Sequence, residues 1–151
     1  MRFISHRGNL YGKVNDKENN PSYIFEALNL GYEVEIDVWF TNKNVYLGHD
    51  KPEHQVNLDF LQNNKLWCHA KNYEAFELML DNKNIHCFWH QNDDYTLTSK
   101  GIIWAYPGNG NFKNAIDVMP EMHIDNLKFY RPSCLGVCSD YIANIRKEFN
   151  A

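Results

Sequence analysis

The chain has 151 residues, 44% hydrophobic and 15% aromatic, which is enough for one domain (1–151) with a sizeable core and too apolar for disorder. A formal net charge of −4, with no Lys/Arg run, excludes the basic footprint of a nucleic-acid binder. No apolar run approaches the ~20 residues of a membrane span. The first residues also lack an apolar stretch with a cleavage site, so a cytoplasmic location is expected.

In chain order, residues 2–5 (RFIS) read as a strand and the polar, turn-rich residues 9–20 as a loop. Residues 21–31 read as a helix: Pro21 suits a first turn, Ile24, Ala27 and Leu28 share a face, and Gly31 suits the position after the last turn. Residues 32–40 (YEVEIDVWF) alternate as a strand does, and 45–50 (VYLGHD) form another, joined through the turn TNKN. A short helix is expected over 57–64, a strand over 66–70 (LWCHA) and a helix over 73–82. Strands are then expected over 85–90, 101–106, 115–120 and 135–139, and a final helix over 141–149. The four cysteines form no CxxC pair, and Cys68 and Cys87 lie in apolar runs, as reduced core thiols do.

Eight candidate strands in β/α alternation suggest a parallel barrel. The chain is shorter than the roughly 200 residues at which complete (β/α)₈ barrels begin. Connections in the second half have room for little more than a turn. The expected fold is therefore α/β: a compact or reduced (β/α)₈ TIM-type barrel with several helices missing or shortened in the C-terminal half. Outward residues there, such as Ile103, would be bare, so self-association into a homo-oligomer is an expectation.

Side chains alternate along a strand, so Glu35 and Asp37 share one face while Val34, Ile36 and Val38 share the other. Two carboxylates this close need a neutralising partner if they leave water; a divalent cation supplies it, and oxygen ligands favour Mg²⁺ or Ca²⁺. The alternative is a solvated strand face carrying plain surface charge. His69 and Lys71 share a face in the same way, where a hydrogen-bonded structural histidine is the plainer reading. His6, Glu35, Asp37, His49, His69 and Lys71 all fall at carboxyl ends of candidate strands, which in a barrel is the active-site rim.

The segments HRGN (6–9), ENNPSYIFEALNLG (18–31) and EIDVWFTNKNVYLGHD (35–50) resemble the opening of glycerophosphodiester phosphodiesterases of the phospholipase-C-like superfamily. Lys71 and the closing GVCSDY also match that pattern, whereas residues 85–133 do so only weakly. The resemblance implies metal-assisted cleavage of a small phosphodiester, a role in lipid metabolism, and one divalent ion (Mg²⁺, Mn²⁺ or Ca²⁺). It implies His6 and His49 as general acid and base, Arg7 and Lys71 on the phosphate, Glu35 and Asp37 on the metal, and Asp50 in support of His49. The third acidic ligand of that family is replaced by His69, which shifts preference from Ca²⁺ toward Mn²⁺, Co²⁺ or Zn²⁺. The long loops that shape the glycerol pocket are absent.

Two other functions remain open: a non-catalytic domain binding a phosphate ligand on a degenerate barrel, and a lyase forming a cyclic phosphate. His90, Asp93 and Asp94 are either an Asx-turn loop or a site contact. Trp104 and Tyr106 are either aromatic core or a substrate platform, and Glu121 is placed to reach the mouth.

Overall fold

The computed structural model describes residues 1–151. β1 (Arg2–His6) runs into a polar loop and then α1 (Pro21–Asn29), whose amino end is capped by the Asn20 side chain accepting from Ser22 N. β2 (Glu33–Thr41) and β3 (Asn44–Leu47) are joined by Asn42 and Lys43, both at positive φ (49° and 62°), the geometry of a tight type I′ hairpin turn. β4 (His54–Val56) and a 3₁₀ turn (Leu58–Gln62) lead to β5 (Leu66–Ala70). α2 (Tyr73–Leu80) is capped by Asn72, whose amide also bonds both the N–H and the carbonyl of Phe40, fixing the helix start to β2. Then follow β6 (Cys87–Phe88), β7 (Tyr95–Leu97), β8 (Ile103–Ala105) and β9 (Ala115–Val118). Two 3₁₀ turns (Pro120–Met122 and Leu127–Phe129), β10 (Gly136–Ser139) and α3 (Ile142–Phe149) complete the chain.

The architecture is mixed α/β: one curled ten-stranded sheet and three α-helices. β6, β5, β2, β1, β10, β9 and β8 lie side by side in that order, every neighbour parallel, and β7 is antiparallel to β8. The two ends of this path meet, because Ser99 N donates to Cys87 O at 2.8 Å and Thr96 Oγ1 to Trp89 O at 2.8 Å. Curling gives the sheet two cores. Val34, Ile36 and Val38 belong to a cluster of 23 buried residues on the helix side. Ile4, Trp67, Phe88, Trp104, Ile116, Val118 and Cys138 form a second cluster on the inner face. Trp67 of β5 and Trp104 of β8, five places apart in that order, approach with ring centroids 5.7 Å apart across that interior.

Several expectations change. The strand around 45–50 is not parallel: β3 pairs antiparallel with β2, and with β4 forms an arm beyond the end of β1. Glu35 O accepts from Arg7 N and Asp37 O from Gly48 N, so β3 takes up the same edge of β2 where β1 leaves it. β4 and β7 were not foreseen, since three-residue strands leave almost no alternation to read. The helix at 57–64 is a 3₁₀ turn, and the strand at 85–90 shrinks to two residues. No α-helix lies between β6 and β10, so the second half is indeed pared down. Ile103 there is half-buried; on β7, Leu97 is 65% exposed. All four cysteines are buried and free, and no helix is long and apolar enough to cross a membrane.

Candidate active site

Parallel register sets the site. His6 lies level with Glu35, and Asp37 level with His69, so the carboxyl ends of β1 and β5 meet the middle of β2, where β1 gives way to β3. Glu35 and Asp37 face the interior opposite the valine–isoleucine face and are 2% and 0% exposed. His69 Nδ1 stands 3.6 Å from Glu35 Oε1 and 3.3 Å from Asp37 Oδ1, and one ligand atom from each of the three falls within 4.8 Å of the others. The His69 ring is stacked on Phe88 and its Nε2 lies 2.8 Å from the carbonyl of His90. A carbonyl only accepts, so Nε2 carries a proton and Nδ1 is the nitrogen turned toward the carboxylates.

Asp37 is ringed by cations. Arg7 Nε lies 2.8 Å from Oδ2 and Lys71 Nζ 3.5 Å from Oδ1, while Asn19 Nδ2 donates to Oδ2 at 2.9 Å and Asp37 N donates to Asn19 Oδ1. Burial raises the carboxyl's pKa, but His69, Arg7 and Lys71 beside it win and hold it well below the usual carboxylate range. Burial likewise pulls His69 down, and the two carboxylates overcome it, lifting the imidazole to about 9. Glu35 Oε2 and Asp37 Oδ1 are nonetheless buried without an aligned hydrogen bond. Such orphaned acceptors are costly unless something satisfies them. Two anionic oxygens and an imidazole nitrogen turned to one point make a donor set that fits a divalent cation.

The loop after β1 brings in residues that the sequence did not single out. Arg7 is left-handed (φ 55°) and Gly8 follows at φ 97°, where a Cβ would stand 2.6 Å from the Tyr23 ring. Only glycine lets the chain turn against that ring. Asn9, fully buried, then donates to both Glu18 and Asp140. Asp140, just past β10, accepts from His6 Nδ1 at 2.8 Å, and its own N–H is held by Glu121. Burial lowers the His6 pKa, but the Asp140 hydrogen bond and the Glu35 charge prevail and raise it. His6 Nε2 is left facing the cleft, 3.8 Å from Glu35 Oε2. Asp140 lies in the GVCSDY segment and Glu18–Asn19 in the ENN segment, so the motifs were visible. Which of their side chains reach His6 and Asp37 was not.

His49 sits across the mouth on the β3–β4 arm, its side chain 43% exposed and its Nδ1 2.7 Å from Asp50, itself almost wholly exposed. His6, Arg7, His49 and His69 all line one cleft of about 360 Å³, whose other wall includes Tyr106, Met119 and Met122. Asp93 and Asp94 stay in the loop: the Asp93 carbonyl accepts from His90, and Asp94 from Asn109. Trp104 belongs to the inner core with its edge on the cleft. Glu121 reaches the rim but acts on β10, through Ser139 Oγ and Asp140 N.

The arrangement can hold a cation between two carboxylates and an imidazole, offer the positive charge of Arg7 and Lys71 to an anion, and present the imidazoles of His6 and His49 to the same cleft. No family model matches the chain, and no curated protein and no solved structure matches it either.

Proposed function

We propose that this protein is a divalent-metal-dependent phosphodiesterase, similar to glycerophosphodiester phosphodiesterases, on a reduced (β/α)₈ barrel. The observation that carries this reading is the buried Glu35–Asp37 pair, whose Oε2 and Oδ1 lack an aligned hydrogen bond, gathered about His69 Nδ1 at 3.6 Å from Glu35 Oε1 and 3.3 Å from Asp37 Oδ1, beside Arg7 and Lys71. Glu35, Asp37 and His69 would hold the ion, which when bound withdraws electron density from a phosphoryl oxygen.

The remaining chemistry belongs to the chain. Arg7 and Lys71 carry positive charge beside the site and neutralise the phosphate as charge moves onto its oxygens. His6, at the end of β1, and His49, on the β3–β4 arm, both line the cleft. One accepts a proton from an attacking water as its oxygen bonds phosphorus, and the other donates a proton to the alkoxide as the ester P–O bond breaks. Asp140 fixes His6 with Nδ1 protonated, leaving Nε2 as the working atom.

Hydrolysis of bis(p-nitrophenyl) phosphate across a metal panel tests the reading. Turnover should require added metal and fall at least ~10²-fold in His6→Ala and His49→Ala. Hydrolysis indifferent to both substitutions and to chelator would overturn it.

A further inference from the structure

The mouth opens into two hollows of opposite character that meet at the proposed phosphate position. One, of about 360 Å³, is the cleft that holds the site's histidines and Arg7, and its apolar surface comes from Trp104, Tyr106, Pro107, Val118, Met119 and Met122. Met122 is 65% and Tyr106 41% exposed, so this wall offers apolar surface to whatever enters. The other, of about 580 Å³, shares Arg7 and His49 with it and is lined by no hydrophobic residue. Lys13, Asn15, Asn19, Lys51 and Glu53 project into it, with Glu18 and Asp50 adding acceptors. Cationic donors and carboxylate acceptors stand there in near balance. That suits a neutral group rich in hydroxyls better than a second anion, which would meet Glu18, Asp50 and Glu53.

Arg7 and His49 line both hollows. A phosphate held at Arg7 therefore sends one ester oxygen toward each. Resting on the phosphodiesterase reading above, we infer that the substrate is an asymmetric diester: a polyol on the Lys13–Asn15 side, and an apolar, ring-sized alcohol against Tyr106, Met119 and Met122. The apolar hollow is at the small end of ligand pockets, matching one ring better than a long chain. Its Tyr106, Met119 and Met122 surface rewards burial of such a group, a gain that a glycerol laid against it would forgo.

Benzyl glyceryl phosphate and methyl glyceryl phosphate test this, because their apolar alcohols differ in size while both leave as simple alkoxides. With Mn²⁺ present, the benzyl ester should show a KM at least about ten-fold lower, and calorimetry should show the same preference in affinity. Met122→Ser, at an exposed position that folding does not need, should shrink the preference several-fold. Dibenzyl phosphate, which has no polyol, should bind more weakly than benzyl glyceryl phosphate. Equal KM for the benzyl and methyl esters, with both turned over, overturns the asymmetric substrate and leaves the phosphodiesterase reading intact. Turnover of neither overturns the hydrolytic reading instead. Calorimetry then decides the present inference: equal affinities, or no binding, overturn it, and a benzyl preference sustains it.

Discussion

His6 Nδ1 and Asp140 Oδ1 lie 2.8 Å apart although 134 positions separate them in the chain. β1 and β10 are adjacent in the sheet, with Ser5 level with Ser139, so the last residue of β1 meets the first residue past β10. The carboxylate makes one nitrogen of His6 the proton carrier and turns the other to the cleft. Asp140→Asn should lower kcat on the order of 10²-fold with KM little changed. It should also move the His6 limb of the pH–rate profile to lower pH, because the anion that raises His6 is gone. A variant with unchanged kcat and pH profile would make Asp140 a purely structural residue.

Glu35 and Asp37 should bind one divalent cation. Removing a ligand should cost more than the 10–100-fold typical of residues that merely support ligands, so Mn²⁺ affinity should drop more than about 100-fold in Glu35→Gln and in Asp37→Asn. Asp37→Asn also removes one of the two carboxylates paired with half-buried Arg7, leaving Glu18 at 3.3 Å, and so lowers stability as well as affinity. Glu35→Gln is the cleaner variant, and metal-free melting curves separate lost affinity from lost fold. Equal calorimetric affinities in wild type and Glu35→Gln would refute the site.

The imidazole of His69 stands where a third carboxylate would favour a hard cation. Mn²⁺ should therefore activate the wild type more than Ca²⁺ does, and His69→Glu should reverse the order. Ca²⁺ activating the wild type best would leave His69 as a residue that orients the site rather than a ligand.

At the amino-terminal end of the strands, buried His86 bonds Thr98 Oγ1 at 2.8 Å and packs on Trp67. Burial, aided by the positive charges of Lys100 and Arg2, lowers its pKa to about 4. The unfolded chain takes up this proton near pH 6.5 and the folded chain near 4, so stability is full above 6.5 and is lost as pH falls between them. The loss approaches roughly 3 kcal/mol, an order-of-magnitude figure. His6 and His69, with raised values, act in the opposite sense, losing stability only as pH rises above 6.5. Chemical denaturation at pH 7 and pH 4.5 should show His86→Gln losing clearly less stability than wild type. Parallel losses would rule out His86 as the acid-sensitive group.

Some of this molecule was legible in its sequence, and the reason is local geometry. The period-2 alternation in EVEIDV is a property of any extended strand, so Glu35 and Asp37 sharing a face opposite Val34, Ile36 and Val38 followed without a structure. Pro21, the apolar face of α1 and Gly31 likewise marked a helix. The short connections of the second half announced that helices would be missing there.

What the sequence left open depended on neighbours distant in the chain. Strand direction was one case: VYLGHD reads the same in a parallel stave or a hairpin arm, and only pairing with β2 made it antiparallel. The three-residue β7 was another, because antiparallel pairing with β8, rather than its own pattern, makes it a strand. Asp140 on His6 and Asn19 on Asp37 join positions 134 and 18 apart, and the apolar surface at Tyr106 and Met122 is shared by two separate segments. Alternation fixes which way a side chain leaves its strand, whereas what it meets is decided by how the sheet curls, a property of all the strands together.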